Sequence, residues 1–167
     1  YESAASMRFD VPNANDPEGN YAGAIFRVDG SGRDLTEFDA LTFWAKASQG
    51  VTIGDIGFGQ DFGLNKYQVN ESNVSLGTNW AKYVIPIPDA SKLFDERGLF
   101  WYSAGTQGTG GAAYTFWIDE LKFEKLGTIG QSRPAILNGE DIVSDVFAGI
   151  SLELTGLTQT FNLGSGR

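Results

Sequence analysis

Two adjacent carboxylates, Asp119 and Glu120, interrupt the aromatic stretch from Tyr114 to Phe123 (YTFWIDELKF). Apolar side chains alternate with polar ones on both sides of this pair, but in opposite phases. A slip of phase in a strand predicts a β-bulge. A carboxylate held by a bulge at the rim of a sheet could bind a cation, with Asp119 as ligand. The alternative is that Asp119 ends one strand and Glu120 faces solvent.

The composition limits the chemistry available to such a site. The 167 residues include no Cys and no His, which excludes disulfides, thiol nucleophiles, Ser-His-Asp triads and zinc sites built on imidazole or thiolate. Oxygen-liganded ions remain, above all calcium. The formal charge of −9 repels phosphate backbones, so nucleic acid is not expected as a partner. Long apolar runs are absent from the sequence, so we expect no membrane insertion.

The elements that position these residues are short strands. About nine alternating runs are separated by turn residues, including separate runs at 66–70 and 73–76. In the clearest run, Leu41 to Lys46, apolar Leu41, Phe43 and Ala45 share one face. Strands joined by turns without helical crossovers predict an all-β fold, an antiparallel β-sandwich of the jelly-roll type.

The jelly-roll topology also predicts how the strands divide between the two sheets. One sheet would hold the strands of Leu41, Trp80 and Trp117. The second sheet would hold the strands of four further residues: Tyr21, Val51, Tyr67 and Leu99. Trp44 and Trp117 would then face outward on neighbouring strands, where we expect them to be covered by the segment after residue 127 or by a partner. The alternative is that they stay open to solvent and form a binding platform.

Three motifs resemble a known family of domains. They occur in the order LTFWAKA (41–47), WAKYVIPI (80–87) and FWIDEL (116–121), at spacings suited to a sandwich. Together they resemble the galactose-binding-like jelly rolls that include many bacterial carbohydrate-binding modules. The resemblance implies a jelly-roll carbohydrate-binding-like domain over residues 1–126. Residues 127–167 lie outside it and are interpreted as a linker with a short extra β segment, the start of a possible immunoglobulin-like domain.

The resemblance implies a structural calcium ion as well as a cellular setting. In such modules the Asp of the last strand binds calcium with an acid near the first strand and with loop oxygens. Asp119 matches the last-strand Asp, Glu2 corresponds loosely to the first-strand acid, and Asp29 and Asp34 are loop candidates without a firm motif match. The resemblance also implies a secreted or cell-surface bacterial protein, extracellular, with neighbouring domains of the same or an associated surface protein as partners.

Glycan binding requires flat aromatic faces for the apolar side of sugar rings and polar side chains for the hydroxyls. The open sheet of a jelly roll would present both kinds of side chain: Arg27, Asp55, Tyr67 or Gln68, and Trp101 or Tyr102. Gly57 and Gly59 beside them would leave room for a ring. Alternation alone leaves open which member of each neighbouring pair faces outward.

Non-catalytic binding of a polysaccharide or oligosaccharide is therefore the predicted function. The alternative is a structural spacer or assembly domain of a multidomain surface protein, without glycan binding. An enzyme is not expected, because no spacing singles out a carboxylate pair of the kind that glycosidases use. Jelly-roll lyases generally rely on Tyr, His and Arg, and the chain has no His.

Overall fold

A computed structural model describes residues 3–61 and 67–127, which form an all-β domain. The strands in these ranges are Met7–Val11 (β1), Tyr21–Arg27 (β2), Ala40–Ala47 (β3), Val51–Phe58 (β4), Val69–Leu76 (β5), Ala81–Pro86 (β6), Gly98–Gly105 (β7) and Tyr114–Glu124 (β8). Two short 3-10 turns, Ala90–Lys92 and Gln107–Thr109, flank β7. In the described part of the chain, no helix has the length and apolar character needed to cross a membrane.

The strands form two antiparallel four-stranded sheets with the orders β1-β8-β3-β6 and β2-β7-β4-β5. This arrangement confirms the predicted β-sandwich and the predicted division of strands between its sheets. The runs at 66–70 and 73–76 were predicted as separate strands, but Val69–Leu76 is one strand, β5. The polar residues that suggested a break are Glu71 and Ser72, and they pair with Ile56 and Asp55 of β4 within this single strand. The predicted β segment after residue 127 falls outside the described residues.

Aromatic rings fill the space between the two sheets. Phe116 stacks on Phe9 with ring centroids 4.8 Å apart. The ring of Tyr102 packs edge-on against Phe116, with centroids 5.2 Å apart. Further phenylalanines are fully buried in the same cluster: Phe43, Phe58 and Phe100. Because successive side chains of a strand point to opposite faces, the burial of Tyr102 in this core directs Trp101 outward.

The predicted bulge at Asp119-Glu120 is present. Strand β8 pairs with β3 in one register at Trp44↔Asp119 and in a shifted register at Thr42↔Lys122. Glu120 has a φ of 49°, in the left-handed region that non-glycine residues rarely adopt. The Asp119 carboxylate accepts a hydrogen bond from the backbone N–H of Glu120 at 2.8 Å. Asp119 therefore stabilises the bulge that the sequence predicted.

Three tryptophans lie on the outer side of the first sheet. The Lys46 ammonium lies 5.0 Å from the ring centroid of Trp80 and 5.3 Å from that of Trp117, within the range of cation–π attraction. Trp44 and Trp117 are half-buried and keep part of their surface exposed. The segment that was expected to cover them begins where the described residues end.

Candidate functional site

The outer face of the second sheet carries a shallow groove with Trp101 at its floor. Trp101 on β7 lies between Ile25 of β2 and Gly57 of β4. Its indole is 6% exposed, and its Nε1–H donates a hydrogen bond to the Phe58 carbonyl oxygen at 3.3 Å. A cleft of about 390 Å³ lies over this region, lined by Tyr21, Gly23, Ala24, Ile25, Gln60, Trp101, Tyr102 and Ser103.

A polar cluster centred on Asp55 lies beside this cleft. Its Oδ1 accepts hydrogen bonds from Ser72 Oγ at 2.6 Å and from Asn70 Nδ2 at 3.0 Å. Its Oδ2 accepts one from Ser103 Oγ at 3.4 Å. These partners come from β5 and β7, which flank Asp55 on β4. The cluster therefore places a carboxylate, hydroxyls and an amide on one surface.

A second cleft of about 510 Å³ continues the groove, lined by Tyr21, Thr52, Gly54, Asp55, Asn73, Ser103, Gly105, Gln107 and Gly108. Tyr21 and Ser103 line both clefts, so the two form one elongated depression. Tyr21 is 59% exposed and offers an aromatic ring at the rim. A groove with aromatic surface and convergent polar groups can hold several sugar units of a chain.

Of the predicted glycan contacts, the structure places Asp55 and Trp101 in the groove, and Gln68 lies beside the Asp55 cluster. Gln68 Nε2 donates a hydrogen bond to Asn70 Oδ1 at 3.4 Å and so extends the Asp55 cluster toward the sheet edge. Of the neighbouring aromatic residues, Trp101 is the outward member and Tyr102 belongs to the core. Of these two predicted glycan contacts, the structure leaves only Trp101 on the outer face, because the Tyr102 ring is buried among core phenylalanines.

Tyr67 and Arg27 line neither cleft of the groove. Tyr67 packs against the core, its hydroxyl oxygen accepts a hydrogen bond from the Asp89 N–H at 2.9 Å, and Lys92 lies 5.2 Å from its ring centroid. The guanidinium of Arg27 pairs with Asp61 at 3.1 Å. These contacts engage both side chains outside the groove.

The predicted role of Gly57 and Gly59 as room for a sugar ring is wrong. A Cβ on Gly57 would lie 2.1 Å from the carbonyl oxygen of Val69, and one on Gly59 would lie 2.0 Å from that of Tyr67. The space beside both glycines is filled by neighbouring backbone, which is the other common reason for glycine in a strand. A Cβ on Gly23 would lie 3.1 Å from the carbonyl oxygen of Tyr102 and 3.2 Å from the ring of Tyr21, so this glycine accommodates both neighbouring backbone and an aromatic residue of the groove.

The predicted calcium ligands do not converge in the described structure. Asp119 accepts a hydrogen bond from Ser3 Oγ at 2.7 Å. Asp34 accepts hydrogen bonds from the backbone N–H and hydroxyl two residues further on, and Asp29 is exposed in the loop after β2. Glu2 lies outside the described residues. Within residues 3–61 and 67–127, no three acidic side chains come close enough to hold a metal ion.

One strongly shifted carboxyl group lies on the opposite sheet. Glu124 accepts a hydrogen bond from the Thr42 hydroxyl and pairs with Lys82 and Lys122, each at 2.9 Å. These contacts lower the pKa of Glu124 to about 2. A shifted pKa can mark a catalytic site. Here the partners are residues of β3, β6 and β8 that tie neighbouring strands together, so the shift has a structural cause.

The jelly-roll sandwich thus carries a groove with aromatic and polar side chains on one open sheet. The family model for carbohydrate binding domain 30 matches residues 1–125. The chain therefore belongs to the carbohydrate binding domain 30 family, which confirms the resemblance drawn from the strand motifs. Families of carbohydrate-binding modules bind carbohydrate and are typically non-catalytic. No curated protein matches the sequence significantly.

Solved structures with the same fold include further modules of this class. The chain is similar to the family 30 carbohydrate-binding module of the cellulosomal cellulase Cel9D-Cel44B of Clostridium thermocellum, with 16% identity, a TM-score of 0.52, and coverage of 75% of this chain and 78% of that one. A family 11 module from Clostridium thermocellum, in complex with a β-1,3-1,4-mixed-linked tetrasaccharide, has 11% identity, a TM-score of 0.52, and coverage of 74% and 78%. At identities this low, the structural likeness shows a shared fold alone.

Proposed function

We propose that this chain binds a polysaccharide through the groove on the outer face of the β2-β7-β4-β5 sheet. The observation that carries the proposal is the juxtaposition of the Trp101 floor and the Asp55 cluster in one groove. The apolar face of a sugar ring stacks on an aromatic ring, while carboxylates, hydroxyls and amides bond its hydroxyl groups. Because little of the Trp101 indole is exposed, the exposed Tyr21 ring supplies further stacking surface at the rim.

The affinity follows from the same contacts. Each sugar–protein hydrogen bond replaces one to water and adds only about 1 kcal/mol. Stacking therefore has to provide much of the binding free energy, and we expect a Kd in the micromolar range or weaker.

The groove's charge favours a neutral glycan. Among the residues that line the two clefts, Asp55 carries a charge, and it is a carboxylate. A carboxylate accepts hydrogen bonds from sugar hydroxyls but repels uronate or sulfate groups. A β-1,3-1,4-mixed-linked tetrasaccharide is the first ligand to test, because the structurally similar family 11 module was solved in complex with one.

The proposed setting is an extracellular bacterial protein, secreted or at the cell surface, in which this module works beside neighbouring domains. A structurally similar module belongs to a cellulosomal cellulase, which supports that setting. Residues 127–167 would link the module to the next domain. A structural spacer without glycan binding is the competing function, and failure to bind any glycan would favour it.

Replacing Asp55 by alanine is expected to weaken glycan binding about tenfold, which corresponds to about 1.4 kcal/mol. The change removes a hydroxyl acceptor and releases the side chains of Ser72 and Asn70 that it holds. Titration calorimetry with the mixed-linked tetrasaccharide measures the effect. Asp10→Ala is the matched control, since Asp10 is an exposed carboxylate of the other sheet that pairs with Arg8. Equal affinity of Asp55→Ala and wild type would place the ligand elsewhere.

A structural calcium ion at Asp119 stays a prediction. If calcium binds, its removal by a chelator should lower the melting temperature, and added calcium should restore it. At a calcium concentration of 100 times Kd, the stabilisation would be about 2.7 kcal/mol. Thermal unfolding of the wild type and of Asp119→Asn, each with calcium and with chelator, measures it. A wild-type melting temperature that is the same under both conditions would exclude a stabilising calcium.

A further inference from the structure

Arg27, Asp61 and Arg97 form an ionic triad at the end of the groove. Arg27 Nη1 donates a hydrogen bond to Asp61 Oδ1 at 3.1 Å, and Arg97 Nε lies 3.4 Å from Asp61 Oδ2, without hydrogen-bond geometry. The Asp61 side chain is 5% exposed, whereas the arginine side chains are 33% and 27% exposed. A buried carboxylate requires partners, so the two guanidinium groups fix the place of residue 61.

Both arginines of the triad are neighbours of Gly98, one in the sequence and one across the sheet. Arg97 precedes Gly98, and Arg27 lies opposite Gly98 on β2, where the register between β2 and β7 shifts. Just before Asp61, the Gly59 N–H donates a hydrogen bond to the Gly98 carbonyl oxygen at 2.7 Å. A Cβ on Gly98 would lie 2.1 Å from the carbonyl oxygen of Gln60, so the backbone of Gln60 rests directly on this glycine. The segment 59–61 is thereby fixed on both sides of Gln60.

Gln60 is the residue that this arrangement presents to the groove. It lines the cleft over Trp101, as Tyr21 does. Its amide group can donate to one sugar hydroxyl and accept from another. We propose that the Arg27–Asp61–Arg97 triad is a positioning device that holds Gln60 at the end of the groove, where Gln60 bonds the glycan. This inference rests on the proposed function, and it gives Arg27 a supporting role behind the site in place of the predicted glycan contact.

Titration calorimetry with the β-1,3-1,4-mixed-linked tetrasaccharide, on Asp61→Asn, Gln60→Ala and the double variant, tests the proposal. Each single variant is expected to bind about fivefold more weakly, the effect of about one lost hydrogen bond. The double variant should bind no more weakly than Gln60→Ala alone, because Asp61 acts through Gln60. Asp10→Asn, in the exposed pair with Arg8, is the control and should keep wild-type affinity.

Two further measurements keep the test decisive. Exchange of the Gly59 amide hydrogen should be faster in Asp61→Asn than in wild type without any ligand, since the segment is then held on one side only. If Asp61→Asn does not fold, Arg27→Gln is the milder variant, because the Arg27 side chain is 33% exposed. It should show the same fivefold loss and the same non-additivity with Gln60→Ala.

Failure of this inference can be distinguished from failure of the proposed glycan binding. If Asp61→Asn lowers the melting temperature but leaves the Kd of the folded protein unchanged, the triad is structural and the inference is overturned. Additive losses in the double variant would also overturn it, since Asp61 would then act independently of Gln60. In both cases binding that depends on Trp101 would leave the proposed function intact. A wild-type chain that binds no glycan of a broad panel would overturn the proposed function and this inference together.

Discussion

Replacing Phe116 by alanine is expected to lower the free energy of unfolding by about 3 to 5 kcal/mol. Phe116 is fully buried between the sheets, stacked on Phe9 and in edge contact with Tyr102. Its removal takes away both aromatic contacts and leaves a cavity in a core that is shared by the two sheets. Urea unfolding followed by fluorescence measures the change, with the slope of the transition compared between the proteins.

The matched control is Phe94→Ala. Phe94 is 68% exposed, so its truncation should change the free energy of unfolding by no more than about 0.5 kcal/mol. A similar loss in both variants would mean that the ring packing between the sheets does not dominate the stability of the sandwich.

Replacing Trp101 by alanine is expected to weaken glycan binding at least about 30-fold, or by about 2 kcal/mol. The indole forms the floor of the groove between β2 and β4, and no neighbouring aromatic side chain of β7 points the same way, since Tyr102 faces the core. The variant will also be less stable, because the indole is largely buried. Calorimetry should therefore be done well below its melting temperature, with Trp101→Phe as a variant that keeps an aromatic ring.

Trp117→Ala is the control for this prediction. Trp117 is a half-buried tryptophan on the outer side of the opposite sheet, in cation–π contact with Lys46. Its loss should leave the Kd for glycan unchanged. If Trp117→Ala abolishes binding and Trp101→Ala does not, the glycan binds the tryptophan surface of the first sheet.

Much of the fold could be predicted from the sequence because alternation reports directly which face of a strand is buried. The opposite phases around Asp119-Glu120 predicted the bulge of β8, and the apolar face of Leu41 to Lys46 predicted a strand against the core. The division of strands between the sheets followed from the jelly-roll topology that these strands predicted. The exception was β5, where the polar Glu71 and Ser72 resembled a turn but pair with Ile56 and Asp55 of β4, so that one strand continues.

The site was less predictable because it depends on which way single side chains point. Trp101 and Tyr102 are adjacent, and only the packing of Tyr102 on Phe116 decides between them. At Arg27 the shift of register between β2 and β7 directs the side chain to Asp61. Such local shifts arise from pairing with a distant strand, so a sequence pattern in β2 alone does not contain them.

Other groove residues were missed for related reasons. Tyr21 shares a face with Gly23 and Ile25, and the opposite face of β2 carries Ala22, Ala24 and Phe26, so neither face is polar enough to be identified as the outer one. Gln60 lies just beyond β4, and its place depends on the contact of its backbone with Gly98. The prediction that Gly57 and Gly59 leave room for a sugar ring was wrong because a strand glycine accommodates a neighbouring backbone as well as it accommodates a ligand.

The most direct test of glycan binding through the Trp101 groove is affinity electrophoresis of the wild type and Trp101→Ala. The gels would contain soluble plant, algal and microbial polysaccharides, both neutral and acidic, with calcium supplied. We expect at least one neutral polysaccharide to retard the wild-type chain and to retard Trp101→Ala much less. Unretarded migration of the folded wild type through every gel, or equal retardation of both proteins, would contradict glycan binding by this groove.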